Sequence, residues 1–288
     1  MALPLGLGQG TPSPQVELRG DYAVNRDSHR RQGGLAIRMA SIALMYHRVC
    51  EQPGPLNVCP STFERQMEWL AGCGRPVLTL EEAAVEGFST RSVVLTLDDG
   101  FVDNHTHALP ILRRHGLAAT LFLVSGAVGG MAEWHDEPDA PMLSWPQVRE
   151  MAGEGIEIAS HTQTHLDLRD AGAARVEEEL VDSKADIEAR IEREVSSFAY
   201  PYGYTGSDSS DALMRAGYSR AVLAATWGVN TPTTDPFMLH RVPIVESDGP
   251  ARFAAKARGW YGFRCYTSKL AREARWYLSR IRSRRDGH

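Results

Sequence analysis

Strand-like and helix-like segments alternate along this chain from residue 41 to residue 225. Such alternation favours an α/β fold with a parallel sheet, because each helix returns the chain to the edge at which the next strand begins. About seven strands between residues 39 and 250 predict a distorted (β/α)7-type barrel, and an open doubly wound sheet is the alternative. The predicted strands are residues 41–49, 91–97, 118–125, 156–160, 196–200 and 219–225, and the predicted helices are residues 61–72, 108–116, 144–155, 171–193 and 211–218.

Composition divides the 288 residues into three regions. Residues 1–38 are rich in Gly, Pro, Ser and Arg without hydrophobic periodicity, which predicts a disordered leader. Residues 39–250 contain the alternating segments and are predicted to form a single barrel domain. Residues 251–288 form a basic tail, which holds eleven Lys and Arg against two acids and so carries +9, whereas the whole chain carries −5.

The basic tail has apolar residues at helical spacing. They are Phe263, Tyr266, Leu270, Ala274, Tyr277 and Ile281. The pattern predicts an amphipathic helix that packs on the barrel and leaves its basic face in water. Two alternatives are contact of residues 259–285 with an anionic membrane surface, and binding of an anionic polysaccharide.

Charge, hydropathy and cysteine usage narrow the class of protein. A net charge of −5 argues against a general nucleic-acid binder. The chain has no apolar run of membrane-spanning length, and its N-terminus lacks the basic region and the longer apolar core of a secretory signal. These features predict a cytoplasmic protein, with association at the inner face of the membrane as an alternative. The four cysteines form no CxxC pair, so we expect free thiols, with a Cys50–Cys59 disulfide as the alternative.

Two adjacent carboxylates stand where an apolar strand ends. The run at 93–97 is followed directly by Asp98, Asp99 and Gly100. Neighbouring carboxylates repel each other and lose hydration when they are buried, so a bound cation would stabilise both. The alternative is an Asp-Asp-Gly turn in water, which is a common turn composition.

Polar groups also follow two later strands. His161 and His165 come after the strand 156–160, and a Pro-Tyr-Gly segment at 201–203 comes after the next one. Histidines four residues apart on a helical turn face the same way, and two histidines plus one carboxylate suit Zn²⁺ or non-haem Fe(II). Two surface histidines on a loop are the alternative. In a parallel barrel the carboxyl ends of the strands meet at one mouth, which favours a shared site.

At such a site the two aspartates can divide the work. Asp99 would bind the metal, and Asp98 would remain unligated as a base towards water. A bound cation also lowers the pKa of water, so hydrolysis is the reaction that this set of groups favours.

The three motifs, taken together and in this order, resemble those of the polysaccharide deacetylase (NodB-like) family, carbohydrate esterase family four. The matching segments are TLDDG (96–100), HTQTH (161–165) and YPYG (200–203), and the resemblance covers about residues 41–245. LMYHRV (44–49) and FAYPYG (198–203) are also similar to the subgroup that acts on biofilm or exported exopolysaccharides.

The resemblance implies a distorted (β/α) barrel that holds one divalent metal ion, for which we expect Zn²⁺. It implies hydrolysis of an N-acetyl group on a sugar, usually N-acetylglucosamine in a polymer. Asp98 matches the family's base, and the backbone N–H of Tyr202, next to Pro201, matches a donor to the developing oxyanion. The matching metal ligands are Asp99, His161 and His165.

The chain departs from the family pattern at two positions. Many members have an arginine that orients the base two residues before the Pro-Tyr-Gly proline, and this chain has Ala199 there. Members also have a late histidine that protonates the leaving amine. In the late segment MLHRVPI (238–244), His240 is the candidate for this acid, and Arg241 is a candidate for contacts with the substrate or the oxyanion.

Two other side chains are candidates for the mouth. His47 ends the first predicted strand, and the alternative for it is a satisfied core histidine. Trp134 lies between the first two motifs and would stack on a sugar face, with loop packing as the alternative.

The function predicted from these residues is metal-dependent N-deacetylation of a polysaccharide, an oligosaccharide or a lipid-linked glycan precursor. The alternatives are an O-acetyl esterase, an amidase for a small molecule, and a catalytically silent carbohydrate-binding relative. The absence of an arginine at 199 and of a clear match for the acid supports the last of these. The predicted partner is an N-acetylated glycan, and the sequence leaves the oligomeric state open.

Overall fold

Parallel strands form the centre of the fold. The computed structural model describes residues 40–134, 140–169, 171–206 and 208–260. The strands are β1 (Ile42–Tyr46), β2 (Arg48–Val49), β3 (Asn57–Val58), β4 (Val77–Leu78), β5 (Val93–Leu97), β6 (Thr120–Leu123), β7 (Glu157–Ser160), β8 (Ser197–Ala199), β9 (Arg220–Val222) and β10 (Arg241–Pro243). The main sheet has the order β10-β1-β5-β6-β7-β8-β9, with β4 added beside β5, and β2 and β3 form a separate pair.

The two ends of the main sheet meet and nearly close it into a barrel. Val222, at the end of β9, forms a parallel bridge with Leu239, two residues before β10. Backbone hydrogen bonds support the bridge, since Leu223 donates to Leu239 at 2.8 Å and Leu239 donates to Ala221 at 3.0 Å. The predicted (β/α)7-type barrel is therefore confirmed.

Helices connect the strands and cover the outside of the barrel. They are α1 (Pro60–Gly72), α2 (Leu80–Val85), α3 (Leu109–His115), α4 (Trp145–Gly153), α5 (Ala173–Ile191), α6 (Ser209–Arg215) and α7 (Pro250–Ala257). The five predicted helices are present, and Ser144 forms a capping box with Gln147 at the start of α4. The sequence pattern missed α2, α7, β3, β4 and β10.

The barrel strands are buried on both faces, as their continuous apolar sequences predict. One face packs under the helices with large side chains such as Leu44 and Leu95. The other face fills the barrel interior with small residues, including Ala43 and Ala159, around the ring of Phe122. Helix α2 closes the amino-terminal end, where the N–H of its first residue, Leu80, donates to the Thr120 hydroxyl at 2.8 Å. The opposite, carboxyl end is left for polar groups.

Most of the two terminal regions lies outside the described residues. The predicted leader, 1–38, is not among them, and the predicted tail helix is described only up to Trp260. No helix within the described ranges is long and apolar enough to cross a membrane. Cys59 and Cys73 are free thiols, so the alternative Cys50–Cys59 disulfide is not formed.

Phe122 fills the centre of the barrel, so its truncation should be costly. We expect Phe122→Ala to lower the free energy of unfolding by about 3–5 kcal/mol, because it leaves a cavity in a closely packed interior. Urea denaturation followed by circular dichroism measures the change. Val85→Ala is the control, since Val85 is 81% exposed and its truncation should cost less than about 0.5 kcal/mol. Equal losses for the two variants would contradict the packed interior.

Candidate active site

The carboxyl ends of four strands carry the polar residues of the mouth. His47 follows β1, Asp98 and Asp99 follow β5, and the His161–His165 loop follows β7. The Pro-Tyr-Gly segment forms a short turn of 3-10 helix that begins two residues after the end of β8. The three predicted motifs therefore meet at one end of the barrel, as the parallel arrangement predicts.

A sharp turn places the two aspartates. Asp99 and Gly100 both have positive φ, of 74° and 92°. A Cβ at Gly100 would lie 2.4 Å from Cδ1 of Leu123, so a larger residue would collide with the neighbouring strand. The turn lets Asp98 continue the inward-facing row of β5 while Asp99 turns towards the histidines.

Asp99, His161 and His165 form a cluster with the geometry of a metal site. Oδ1 of Asp99 lies 3.4 Å from Nε2 of His161 and 3.5 Å from Nε2 of His165. All three side chains are buried, and one candidate ligand atom from each lies within 4.8 Å of the others. Two imidazoles and one carboxylate are a donor set that divalent transition metals accept, with positions left for water or substrate. The residues present therefore fit a divalent ion.

A hydrogen bond on the far side of the ring orients His161. Nδ1 of His161 lies 2.8 Å from the carbonyl oxygen of Ala199, which can only accept a hydrogen bond. The ring proton therefore sits on Nδ1, and the lone pair of Nε2 points towards Asp99.

Aromatic rings surround His165. Trp134 stacks on its face, with centroids 4.6 Å apart and an interplanar angle of 15°. Tyr202 approaches edge-on, also at 4.6 Å. Burial, with smaller contributions from Asp99 and Asp167, raises the pKa of Tyr202 to about 12, so its phenol stays protonated at neutral pH. Trp134, predicted to stack on sugar, thus lies in the mouth and covers a histidine ring.

Asp98 is held by Arg241 in a buried, two-pronged ion pair. Nη1 and Nη2 of Arg241 lie 2.5 and 2.8 Å from the two carboxylate oxygens. Arg241 is fully buried, and it also donates to the Leu223 carbonyl at 2.8 Å and the Thr96 hydroxyl at 3.1 Å. Its placement does not match the predicted contact with substrate or oxyanion. It supplies instead the guanidinium that Ala199 cannot.

His47 lies beside Asp98 at the rim of the mouth. Its Nε2 is 3.9 Å from Oδ2 of Asp98, and its side chain is 13% exposed. His47 is therefore a mouth residue that solvent or a ligand can reach, and it is not sealed in the core.

Residues after the Asp-Asp-Gly turn fix the backbone at His47. Asn104 donates to the His47 carbonyl at 2.8 Å. Asp103 accepts from the Val49 N–H at 2.9 Å and from Nε of Arg48 at 2.8 Å. Asn104 begins a π-helical turn, Asn104–Ala108, a form that is frequent at functional sites.

The prediction that His240 belongs to the mouth is wrong. Arg241 is in register with Ala43 of β1, so His240 lies at the level of Ile42. His47 is five residues further along, a distance of about 16 Å in a strand. Side chains alternate across a strand, and Arg241 points inward, so His240 points out of the barrel.

The contacts of His240 hold the backbone in place. Its backbone N–H and C=O both pair with the side chain of Asn230, at 2.8 and 2.9 Å. Burial lowers the pKa of its ring, so the ring is neutral near pH 7.

Backbone strain is concentrated at the site. Eight described residues other than glycine have positive φ. Four of them are Asp99, Thr162, His165 and Tyr202, with φ of 74°, 68°, 59° and 59°. Such conformations cost free energy and persist only where the surroundings enforce them, which is typical of functional sites.

Sequence reasoning missed the ion pair between Arg241 and Asp98 and the hydrogen bonds that Asp103 and Asn104 accept or donate beside His47. An electrostatic argument could have predicted the pairing of Arg241 with Asp98. A buried Asp98 needs a cation, and with alanine at 199 another arginine had to supply it.

Comparisons with known proteins agree with this geometry. The family model for polysaccharide deacetylase matches residues 86–221. YxkH of Bacillus subtilis, which bears the polysaccharide deacetylase name, is 30% identical over 217 residues, 74% of each chain. The poly-beta-1,6-N-acetyl-D-glucosamine N-deacetylase of Staphylococcus aureus is 25% identical over 278 residues, which cover 87% of this chain and 93% of that protein.

Solved structures show the same fold. IcaB from Ammonifex degensii matches with a TM-score of 0.68 and 25% identity, over 76% of this chain and 97% of that one. The Streptococcus pyogenes deacetylase PplD, in complex with acetate, has a TM-score of 0.68 and 24% identity over 76% and 99%. Because it is 30% identical to YxkH over 74% of each chain, the chain belongs to the polysaccharide deacetylase family.

Proposed function

We propose that the protein is a metal-dependent N-deacetylase that releases acetate from an N-acetylglucosamine polymer. The observation that carries the proposal is the different setting of two adjacent carboxylates, with Asp98 held by Arg241 and Asp99 facing two histidines. Asp98 is therefore suited to act as a base, and Asp99 is suited to act as a metal ligand. The Staphylococcus aureus relative, matched along most of its length, supports a β-1,6-linked polymer as the substrate class.

Asp99, His161 and His165 would hold the divalent ion, for which Zn²⁺ suits the two nitrogen donors and one oxygen donor. Once bound, the ion supplies Lewis acidity towards the acetyl oxygen and water. The stacking of Trp134 on His165 shields this side of the mouth from bulk solvent and limits rotation of the ring.

Asp98 acts as the general base. It takes a proton from the water whose oxygen attacks the acetyl carbonyl carbon. Arg241 grips both carboxylate oxygens, so the base enters the reaction in one fixed orientation and without reorganisation. The backbone N–H of Tyr202 donates towards the charge that develops on the acetyl oxygen.

His47 takes the role of general acid that the sequence had suggested for His240. It is partly exposed at the mouth and lies 3.9 Å from Asp98. When the C–N bond breaks, the leaving amine takes a proton from His47, and the products are acetate and a free amino sugar.

Acetate release from N-acetylglucosamine oligomers is the direct test. We expect activity that chelation abolishes and added Zn²⁺ restores, and we expect Asp98→Asn to lower kcat by about 10²–10⁴-fold while Zn²⁺ still binds. Enzymatic acetate detection and metal titration measure the two quantities. Asp182→Asn, an exposed carboxylate on α5, is the control and should retain activity. Full activity of metal-free protein, or of Asp98→Asn, would contradict the proposal.

A matched pair of variants tests the acid. We expect His47→Gln to lower kcat/KM on an N-acetyl sugar by about 10²–10⁴-fold, and His240→Gln to change it by less than about twofold. Hydrolysis of 4-nitrophenyl acetate should be much less sensitive to His47→Gln, because its leaving group needs no proton. If His240→Gln were the inactive variant, the assignment from strand register would be wrong.

Arg241→Lys tests whether the guanidinium positions the base. We expect kcat to fall by about 10–100-fold with KM little changed, because one ammonium cannot hold both oxygens of Asp98 in one plane. Steady-state kinetics separate the two constants. Arg113→Lys is the control, since the Arg113 side chain is 68% exposed. A rise in KM at constant kcat would instead indicate contact with substrate.

A further inference from the structure

The loop between the two site histidines has a strained backbone. Thr162 and His165 both have positive φ, of 68° and 59°. Neither residue is a glycine, so each of these conformations costs free energy. The orientation of both histidines depends on this loop, and the surrounding contacts must hold it.

Glu179 holds the loop from the side of helix α5. It is fully buried, and its Oε2 accepts from the N–H of Gln163 at 2.8 Å and of Thr164 at 2.9 Å. Its Oε1 accepts from the Thr164 hydroxyl at 2.6 Å. One carboxylate therefore binds three donors in the five-residue segment that carries His161 and His165.

A second set of contacts holds the loop from the opposite side. The N–H of Ser125 donates to the Thr162 carbonyl at 3.2 Å, and the N–H of Gly126 donates to the Gln163 carbonyl at 2.9 Å. A Cβ at Gly126 would lie 2.6 Å from that Gln163 oxygen, so the approach requires glycine. The loop is thus fixed between a backbone turn that binds its carbonyls and a carboxylate that binds its amides.

The charge of Glu179 is compensated from the surface. Nη2 of Arg175, one helical turn earlier, lies 2.6 Å from Oε1, and the Arg175 side chain is 46% exposed. The rest of the buried face of α5 includes Val176, Leu180 and Ile187. A buried carboxylate in such a face is costly, so its retention points to the donors that it binds.

We propose that Glu179 is a positioning residue for the metal site, which rests on the proposed metal-dependent function. Through the backbone of Gln163 and Thr164 it holds the strained loop in the one arrangement in which His161 and His165 both face Asp99. Glu179 touches neither the metal nor the substrate.

The test is the Zn²⁺ affinity of metal-stripped full-length protein, measured by competition with a chromophoric chelator. We expect Glu179→Ala to weaken Zn²⁺ binding by about 10–100-fold, the range found for residues that orient metal ligands. Glu179→Gln should weaken it less, because one oxygen still accepts the two backbone N–H groups. Ile187→Ala is the matched control. It truncates a buried residue of the same helix, so it should lower Tm without changing the Zn²⁺ affinity.

The outcomes separate the two proposals. If wild-type protein binds no Zn²⁺, or if Asp99→Asn binds it equally well, the proposed metal site fails. If wild type binds and Asp99→Asn does not, but Glu179→Ala binds like wild type, only the positioning role fails. Ile187→Ala weakening the affinity as much as Glu179→Ala would likewise overturn it. If Glu179→Ala does not fold, Glu179→Gln decides: an affinity equal to wild type overturns the role, and weaker binding with Ile187→Ala unaffected supports it.

Discussion

Two buried carboxylates next to each other in sequence set the design of this protein. Asp98 and Asp99 cannot share one partner, because each must be compensated for lost hydration and for repulsion by the other. The turn at Gly100 separates them, so that Asp98 meets the guanidinium of Arg241 and Asp99 meets two histidines. The other groups of the mouth help to keep the two aspartates apart, since each of them holds either Arg241 or the two histidines in place.

Much of the architecture followed from local sequence signals. Strand and helix alternation predicted the barrel, and the rule that parallel strands end at one mouth turned three separate motifs into one site. Each of these signals is short-range: an apolar run, a cap such as Ser144, or a polar group directly after a strand. Tertiary packing did not change the structures that these local signals favour. The cluster of Asp99, His161 and His165 was predictable for the same reason.

The missed features depend on long-range register. Strand β10 contains Arg241 and Pro243 and so has no apolar run, and the direction of its side chains depends on how it pairs with β1. That pairing sends Arg241 inward, so the adjacent His240 points outward, although both are chemically suited to the mouth. Glu179 is a similar case. Helical spacing places it on the buried face of α5, yet only the fold shows that this face meets the histidine loop.

The cation that pairs with Asp98 comes from the last strand of the barrel, so it is synthesised after the other groups of the mouth. During translation the segments carrying Asp99, His161 and His165 leave the ribosome before Arg241. Until β10 has been synthesised, Asp98 therefore lacks its guanidinium. The ion pair forms only when β10 docks against β1, so closure of the barrel and pairing of Asp98 with Arg241 are a single event.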